Sequence, residues 1–288
     1  MFLLVAFAVI TITPLPGQDA PVQPYADYTE NFSLSPPEST ISDEPLPAKV
    51  LEAQKNKIRI VGQFFIPGHP FAPNNVYGTG FVVNYKSKKV ILTARHVLIS
   101  PIIEHGIGFK LNDGGIPETQ FYQYRYFGVI SNDGIVSTVY LRPVAMGELG
   151  KQEDYIAFSP ESSVKIGSVS LVNRNANIND VVYATGFSPS ISQIPTRRGG
   201  YQSIQADIVD FTFKSKIVAK IDHLAINNAG LKLQYRIRGN LEAGFSGGPV
   251  LNTNGEVIGM SIEMLRNFYY AISSDDLTNF LERIYNRF

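Results

Sequence analysis

The chain has 288 residues, of which 44% are hydrophobic, and it carries 25 Lys and Arg against 25 Asp and Glu. This balance gives no electrostatic basis for binding nucleic acid or an anionic membrane surface. The absence of cysteine excludes disulfides, thiolate catalysis and cysteine-ligated zinc.

The first twenty residues, MFLLVAFAVITITPLPGQDA, open with an apolar run that ends near Pro14. This run is short for a bilayer span and has the length of a signal-peptide core. We therefore predict that residues 1–20 are a signal peptide or a short N-terminal anchor. The chain would then be exported to the periplasm or the medium, or tethered to the membrane. A buried or disordered terminus is the alternative, because no Lys or Arg precedes Lys49 and Gln18 occupies a position where cleavage sites favour a small residue.

Residues 21–57 are rich in proline and acidic side chains, and the first part of this range has no Lys or Arg. Such a segment buries too little apolar surface to order itself. The composition predicts a linker or a pro-segment.

From about Ile58 the sequence changes to short apolar runs that are separated by Gly, Asn, Pro and Ser. Val, Ile, Phe, Tyr and Thr dominate these runs, as is typical of β-strands. The runs are KIRIVGQFFI, YGTGFVVNY, KVILTARHVLI, DYIAFS, VSLVN, DVVYATGF, SIQADIVDFTF, LKLQYRIRG, PVLNTNGEVIGMSI and NFYYAIS. The Asn-Gly pair in VLNTNGEVIGM predicts a hairpin.

One helix is predicted, over residues 275–286, in SSDDLTNFLERIYNRF. Ser274 is the expected N-cap, acidic residues fill the first turn, and apolar residues follow at helical spacing. Many short strands with one closing helix indicate an all-β sandwich or barrel.

The segment GFSGGP, residues 244–249, indicates a nucleophilic serine at Ser246. Gly244 lets the backbone turn so that its own N–H and that of Ser246 can point at one spot, and Gly247 and Gly248 leave room for a substrate. A tight hairpin turn would not also require Ser and Pro here. A nucleophilic serine needs a base, a group that orients the base, and donors for an oxyanion.

Four histidines are available as the base. His69, His105 and His223 lie in loop-like or undistinguished contexts. His96 ends the apolar strand ILTARH, which delivers a polar ring to the strand's edge. His96 is therefore the predicted base.

Together, ILTARH and GFSGGP resemble the motifs of the chymotrypsin/trypsin-like serine peptidases, in the family's order of His, Asp and Ser. The similarity extends to YGTGFVV, VYATGF, NGEVIGM and YYAISSDDLTNFL, and so covers about residues 58–286. It implies a double six-stranded β-barrel with a C-terminal α-helix, with a first barrel at about 58–160 and a second at about 175–270. We expect a bacterial-type peptidase domain over 58–288 without a PDZ domain.

The resemblance places the orienting acid at the head of an apolar strand between the histidine and the serine. Asp154, in EDYIAFS, fits best. Asp113 and Asp133 precede glycines in turns, and later aspartates fall among second-barrel strands. One departure is Ile156, where family members usually have a small residue.

The implied reaction is peptide-bond hydrolysis on protein or peptide substrates. Ser246 attacks, His96 shuttles the proton, Asp154 fixes the imidazole, and the amides of Gly244 and Ser246 hold the oxyanion. No metal or organic cofactor is required.

Residues 59–62, Arg-Ile-Val-Gly, resemble the activation site of trypsin-type zymogens. In that mechanism the new Ile α-amino group pairs with a carboxylate just before the serine, but Phe245 occupies this position. A buried ammonium without a counter-charge is costly. We therefore interpret IRIVGQFF as the first strand of the domain.

By the family's alignment, Asn240 forms the floor of the pocket for the substrate residue before the cleaved bond. Ile262, Glu263 and Met264 would line its edge. The neutral Asn240 gives no support for an Arg or Lys preference from a floor carboxylate, and Glu263 alone does not establish one.

Two other functions fit the same fold. One is a catalytically silent peptide-binding or regulatory module, although every expected site residue is present in type. The other is an active domain that cuts a single signalling partner.

Overall fold

The computed structural model describes residues 45–64, 74–99, 110–118, 125–132, 135–149, 151–160, 166–172, 174–188, 191–195, 201–205, 209–222, 233–239, 244–265 and 267–288. The predicted leader therefore lies outside the described residues. In the described ranges, none of the helices is long and apolar enough to cross a membrane.

Most of the described chain is β-structure. The first group of strands is β1 Lys57–Phe64, β2 Asn74–Tyr85, β3 Lys88–Thr93, β4 Lys110–Leu111, β5 Pro117–Glu118, β6 Arg125–Asn132, β7 Ile135–Met146 and β8 Ile156–Pro160. The second group is β9 Val181–Ser188, β10 Ile191–Pro195, β11 Tyr201–Gln205, β12 Val209–Asp222, β13 Leu233–Arg238, β14 Pro249–Leu251, β15 Val257–Leu265 and β16 Phe268–Ser273.

Twelve of these strands form two closed antiparallel barrels of six strands each, and β4-β5 and β10-β11 form two separate two-stranded sheets. The first barrel has the order β1-β2-β3-β8-β7-β6, and the second has the order β12-β13-β16-β15-β14-β9. Closure pairs every strand edge within each barrel, and the apolar residues of the strands fill the interiors. The predicted double six-stranded β-barrel with a C-terminal helix is confirmed.

A connecting segment, residues 166–172, contacts strands of both barrels through its backbone. Val169 N donates to Val82 O at 2.8 Å, and Val172 N donates to Val257 O at 2.9 Å. These bonds accompany two isolated parallel β-bridges, one between Val83 and Val169 and one between Leu171 and Val257. The segment therefore ties β2 of the first barrel to β15 of the second.

The predicted hairpin and first strand are both observed. β14 and β15 pair across the turn that contains Asn254 and Gly255, and Gly255 has a φ of +73°. Ile60 is fully buried in β1, where it pairs with Gly78 of β2 and Gly128 of β6. The Arg-Ile-Val-Gly segment is therefore an internal barrel strand.

The C-terminal helix, α2, spans Ser274–Ile284, and a 3-10 turn over Tyr285–Arg287 follows it. Its N-cap is Ser273 rather than the predicted Ser274. Ser273 still has the extended backbone of β16, and its Oγ accepts from Asp276 N at 3.2 Å. The Ser274 hydroxyl instead donates to Val172 O at 2.9 Å, so the helix begins one residue earlier than the sequence indicated.

A second helix, α1, spans Ala48–Gln54 inside the range that the sequence assigns to a linker. Val50 and Ala53, three residues apart, are buried on one face of this helix. The prolines of this range end at Pro47. Beyond this point two apolar residues at helical spacing are enough to dock one short helix on the barrels.

Candidate active site

The predicted histidine lies just beyond the end of β3. Thr93 ends the strand, Ala94 is fully buried, and a helical turn begins at His96. Leu98 N and Ile99 N both donate to Arg95 O, and both side chains are buried. The buried side chains of Leu98 and Ile99 therefore anchor the turn in the core, while 39% of the His96 side-chain surface stays exposed.

The register of the first barrel brings Asp154 to this histidine. β3 and β8 are antiparallel neighbours with Thr93 opposite Ile156. Residues that follow Thr93 therefore lie beside residues that precede Ile156, at the same barrel end. Ile156 is a buried residue of β8, so the departure from the usual small residue is accommodated in the barrel core.

Asp154 binds His96 through both carboxylate oxygens. Oδ2 lies 2.5 Å from His96 Nδ1, and Oδ1 accepts from the His96 backbone N–H at 2.8 Å. Two contacts to one residue fix the ring as well as the backbone. With Nδ1 occupied by the carboxylate, the neutral ring presents Nε2 as its proton acceptor.

Burial and charge oppose each other in this pair, and charge prevails. Burial alone would lower the pKa of His96, but the charge and hydrogen bond of Asp154 raise this pKa above its ordinary value. For Asp154 the directions are reversed. Burial alone would raise its pKa, but the charge and hydrogen bonds of His96 hold this pKa below the usual range. The carboxylate is therefore ionised at neutral pH and favours the protonated imidazole.

The loop before Asp154 is held from two sides. Arg95 donates from Nη1 to Gly147 O at 3.1 Å and to Glu148 O at 2.5 Å, and from Nη2 to Lys151 O at 3.4 Å. These charge-assisted bonds attach the residue before the histidine to the loop that delivers the aspartate.

Arg283 of α2 holds the residues on either side of Asp154. Its Nη2 donates to Glu153 Oε1 at 3.0 Å and to the Tyr155 hydroxyl at 2.8 Å. The carboxylate of Glu153 is almost completely buried, and its other oxygen accepts from Glu148 N at 2.9 Å. The C-terminal helix thereby takes part in placing Asp154.

Ser246 lies in a short loop of the second barrel, residues 244–248, which we call the serine loop. Gly247 N donates to Ser261 O at 2.7 Å, and Thr79 N donates to Ser246 O at 3.0 Å. Gly247 has a φ of +85°, and a Cβ at this position would lie 2.1 Å from Thr93 Oγ1 and 2.6 Å from Ala94 N. Only glycine permits this approach, which brings the loop against the residues just before His96.

Phe245 anchors the serine loop in the second barrel. Its side chain is 2% exposed, its ring centroid lies 5.4 Å from that of Phe213, and it packs on Gly186. The position that holds a carboxylate in trypsin-type zymogens is thus filled by an apolar side chain in an apolar setting.

The comparisons with known proteins agree with this geometry. A family model described as "Trypsin-like peptidase domain" matches residues 78–260, which is more than half of the chain. The chain belongs to the trypsin-like peptidase domain family. No curated protein sequence matches this peptidase.

Solved structures share the fold of this peptidase at low sequence identity. The active form of the Rv3671c protease from M. tuberculosis is 15% identical, with 92% of this chain and 94% of that chain covered and a TM-score of 0.53. The inactive form of the Rv3671c protease is 13% identical, with 83% and 93% covered and a TM-score of 0.50. At these identities the similarity concerns the fold.

The residues predicted to form the peptidase's substrate pocket fall into three situations. Asn240 lies outside the described residues. Ile262 is buried in β15, whereas Glu263 and Met264 are exposed at the end of that strand. The charge of Glu263 adds to that of Asp154 in raising the pKa of His96.

Sequence reasoning missed the residues that support the site. Each of these residues contacts groups that are far away in the chain: Thr79, Arg95 and Arg283. Only residue type could have indicated them, since Thr79 is a hydroxyl residue between two glycines and the other two carry guanidinium groups. Within the described ranges, no three acidic or histidine side chains gather closely enough to hold a metal ion.

Replacing Arg95 by Met removes three bonds to the loop before Asp154 while it keeps much of the side-chain length. We expect kcat/KM on fluorescent casein to fall about 10- to 100-fold, because small displacements of a reacting group cost about this much. Arg142, an exposed residue of β7, provides the matched control, and Arg142→Met should retain the parent rate. An Arg95→Met variant with parent kcat/KM would show that the loop keeps its place without the guanidinium.

Proposed function

We propose that this peptidase is a serine-type endopeptidase in which Ser246 is the nucleophile, His96 the general base and Asp154 the group that orients His96. The observation that carries the proposal is the two-point contact between Asp154 and His96. It fixes one imidazole nitrogen and leaves the other to receive a proton, as the triad mechanism requires.

The packing of the serine loop supports Ser246 as the nucleophile. Gly247 approaches Thr93 and Ala94 closely, and these two residues directly precede the turn that carries His96. Nucleophile and base would thus be supplied by adjoining backbone segments of the two barrels.

The proposed reaction proceeds in two balanced halves. The Oγ of Ser246 forms a bond to the peptide carbonyl carbon while its proton passes to His96 Nε2. The C–N bond then breaks as His96 gives this proton to the leaving amine. A water molecule, deprotonated by His96, then bonds to the acyl carbon. The bond between that carbon and Ser246 Oγ breaks as His96 returns the proton to Oγ, which releases the carboxylic acid and regenerates Ser246.

The backbone N–H groups of Gly244 and Ser246 are the proposed oxyanion donors. In the described part of the chain, no backbone carbonyl accepts from either group, whereas the next two N–H groups, of Gly247 and Gly248, are bonded to Ser261 O and Phe245 O. Donors that are kept available for a developing negative charge stabilise the transition state more than the substrate.

Covalent labelling tests the nucleophile directly. We expect a fluorophosphonate probe to label the parent protein and to label neither Ser246→Ala nor His96→Ala, because the reaction needs both the oxygen and its base. Ser215→Ala, in β12, is the matched control and should label like the parent.

A folded parent that resists the probe, both in full length and after any processing, would contradict the proposal. It would favour the alternative of a catalytically silent peptide-binding or regulatory module on the same fold.

The raised pKa of His96 predicts the acid side of the pH profile. Activity requires neutral His96, so kcat/KM should fall as pH drops through a pKa above the ordinary value of 6.5. Asp154→Asn removes the charge that raises this pKa, so the acid limb should move to lower pH while kcat falls by about 10⁴-fold.

The measurement is kcat/KM from about pH 5 to about pH 9 for both proteins. An acid limb that stays at the same pH in Asp154→Asn would show that the carboxylate does not control the titration of His96.

We also infer, from the apolar run within residues 1–20, that the peptidase is exported. N-terminal sequencing of the protein recovered from the cell envelope and from the medium checks this inference. An intact Met1 on protein that is found only in the cytosol would contradict it.

A further inference from the structure

Thr79 belongs to the first barrel, but its backbone N–H and its hydroxyl bind the serine loop of the second barrel. It lies in β2 between Gly78 and Gly80 and is completely buried. A buried hydroxyl and a buried backbone N–H that both bind the other barrel indicate a role in the contact between the barrels.

Two hydrogen bonds join Thr79 to the serine loop. The backbone N–H donates to Ser246 O at 3.0 Å, and Oγ1 donates to Gly244 O at 2.6 Å. Thr79 therefore holds the carbonyls on both sides of Phe245.

The direction of the hydroxyl bond follows from its second partner. Phe187 N in β9 donates to Thr79 Oγ1 at 3.0 Å, and this contact uses a lone pair of the hydroxyl. Since the Gly244 carbonyl can only accept, the single hydroxyl proton goes to Gly244 O. One side chain thus joins β2, the serine loop and β9.

The backbone carbonyl of Thr79 completes the arrangement on the histidine side. It accepts from Thr93 Oγ1 at 2.6 Å, and Thr93 is the last residue of β3 before the histidine turn. A Cβ at Gly247 would lie 2.2 Å from the same carbonyl oxygen, so the loop is seated directly upon it.

The hydroxyl bond constrains Gly244, whose backbone has no side chain to hold it. This residue has a φ of +100°. The hydroxyl proton of Thr79 holds the Gly244 carbonyl, so the peptide plane between Gly244 and Phe245 cannot rotate freely. This restricts the backbone of Gly244, whose N–H is one of the proposed oxyanion donors. Donors fixed before the reaction need no reorganisation in the transition state.

We propose that Thr79 is a positioning residue whose hydroxyl preorganises the oxyanion-binding backbone of the serine loop. This inference rests on the proposed function of Gly244 and Ser246, and it adds a residue of the first barrel that acts through the loop without touching the substrate.

The test compares Thr79→Val, which keeps the shape but removes the hydroxyl, with Thr79→Ser, which keeps the hydroxyl. We expect Thr79→Val to lower kcat about 10- to 100-fold with KM changed less than about twofold, somewhat below the loss of a whole oxyanion donor. Inhibition by a peptide aldehyde, which forms an oxyanion on binding, should weaken by a similar factor. Thr79→Ser should stay within about threefold of the parent kcat, because it retains the bond.

A matched control separates positioning from stability. Thr278→Val also removes one hydroxyl bond to a carbonyl, that of Ser274 in α2, away from the serine loop. It should leave kcat and aldehyde inhibition unchanged, and Tm measured for both variants shows whether a loss of stability accompanies the loss of kcat. If Thr79→Val does not fold, Thr79→Ala and Thr79→Ser offer the same comparison, since they differ only in the hydroxyl.

Fluorophosphonate labelling of the parent distinguishes the two levels of the proposal. A labelled parent with equal kcat in the variants with and without the hydroxyl overturns the role of Thr79 alone. A parent that does not label overturns the proposed function, and the inference about Thr79 falls with it.

Discussion

The close approach of the serine loop to the first barrel is the constraint on which the site depends. His96 and Asp154 are carried by the first barrel and Ser246 by the second, so no single barrel holds a complete site. The barrels meet where Gly247 lies against Thr93 with no space for a Cβ, and where the backbone and hydroxyl of Thr79 take up two loop carbonyls. A contact this short allows little movement of the proposed base, His96, relative to the proposed nucleophile, Ser246, because any added atom must displace backbone.

The serine loop is held by neutral interactions. Phe245 fills an apolar site in the second barrel, and hydrogen bonds from Thr79 hold the adjacent carbonyls. A buried ion pair at this point would have to recover a desolvation cost of several kcal/mol per ion, whereas a buried ring and satisfied carbonyls carry no such cost. The docked loop therefore does not require a newly formed terminal ammonium, in keeping with the interior position of Ile60 in β1.

Charge is used in the first barrel, where the proposed role of Asp154 requires a carboxylate that is both ionised and immobile. His96 stabilises the carboxylate directly, while Arg95 and Arg283 hold the backbone and side chains around it. The two arginines hold different parts of the structure around Asp154. Arg95 binds carbonyls of the preceding loop, and Arg283 binds the residues on either side of Asp154. The C-terminal helix is thus part of the active-site framework through a single side chain.

Residue type and local spacing predict many of the barrel strands, the Asn-Gly hairpin, the closing helix, His96 and Ser246, and the family resemblance adds Asp154. Two long strands, β6 and β7, are not among the predicted runs, and residues 169–172 of the run VSLVN form isolated bridges rather than a strand. Three features emerge only in the folded protein: the docked helix at residues 48–54, the helix cap at Ser273, and the support that Thr79 and Arg95 give to the site. The partners of Thr79 and Arg95 are backbone carbonyls 165 and 52 residues away. A backbone carbonyl is chemically the same at every position, so no sequence pattern marks which one a hydroxyl or a guanidinium will meet once the barrels close.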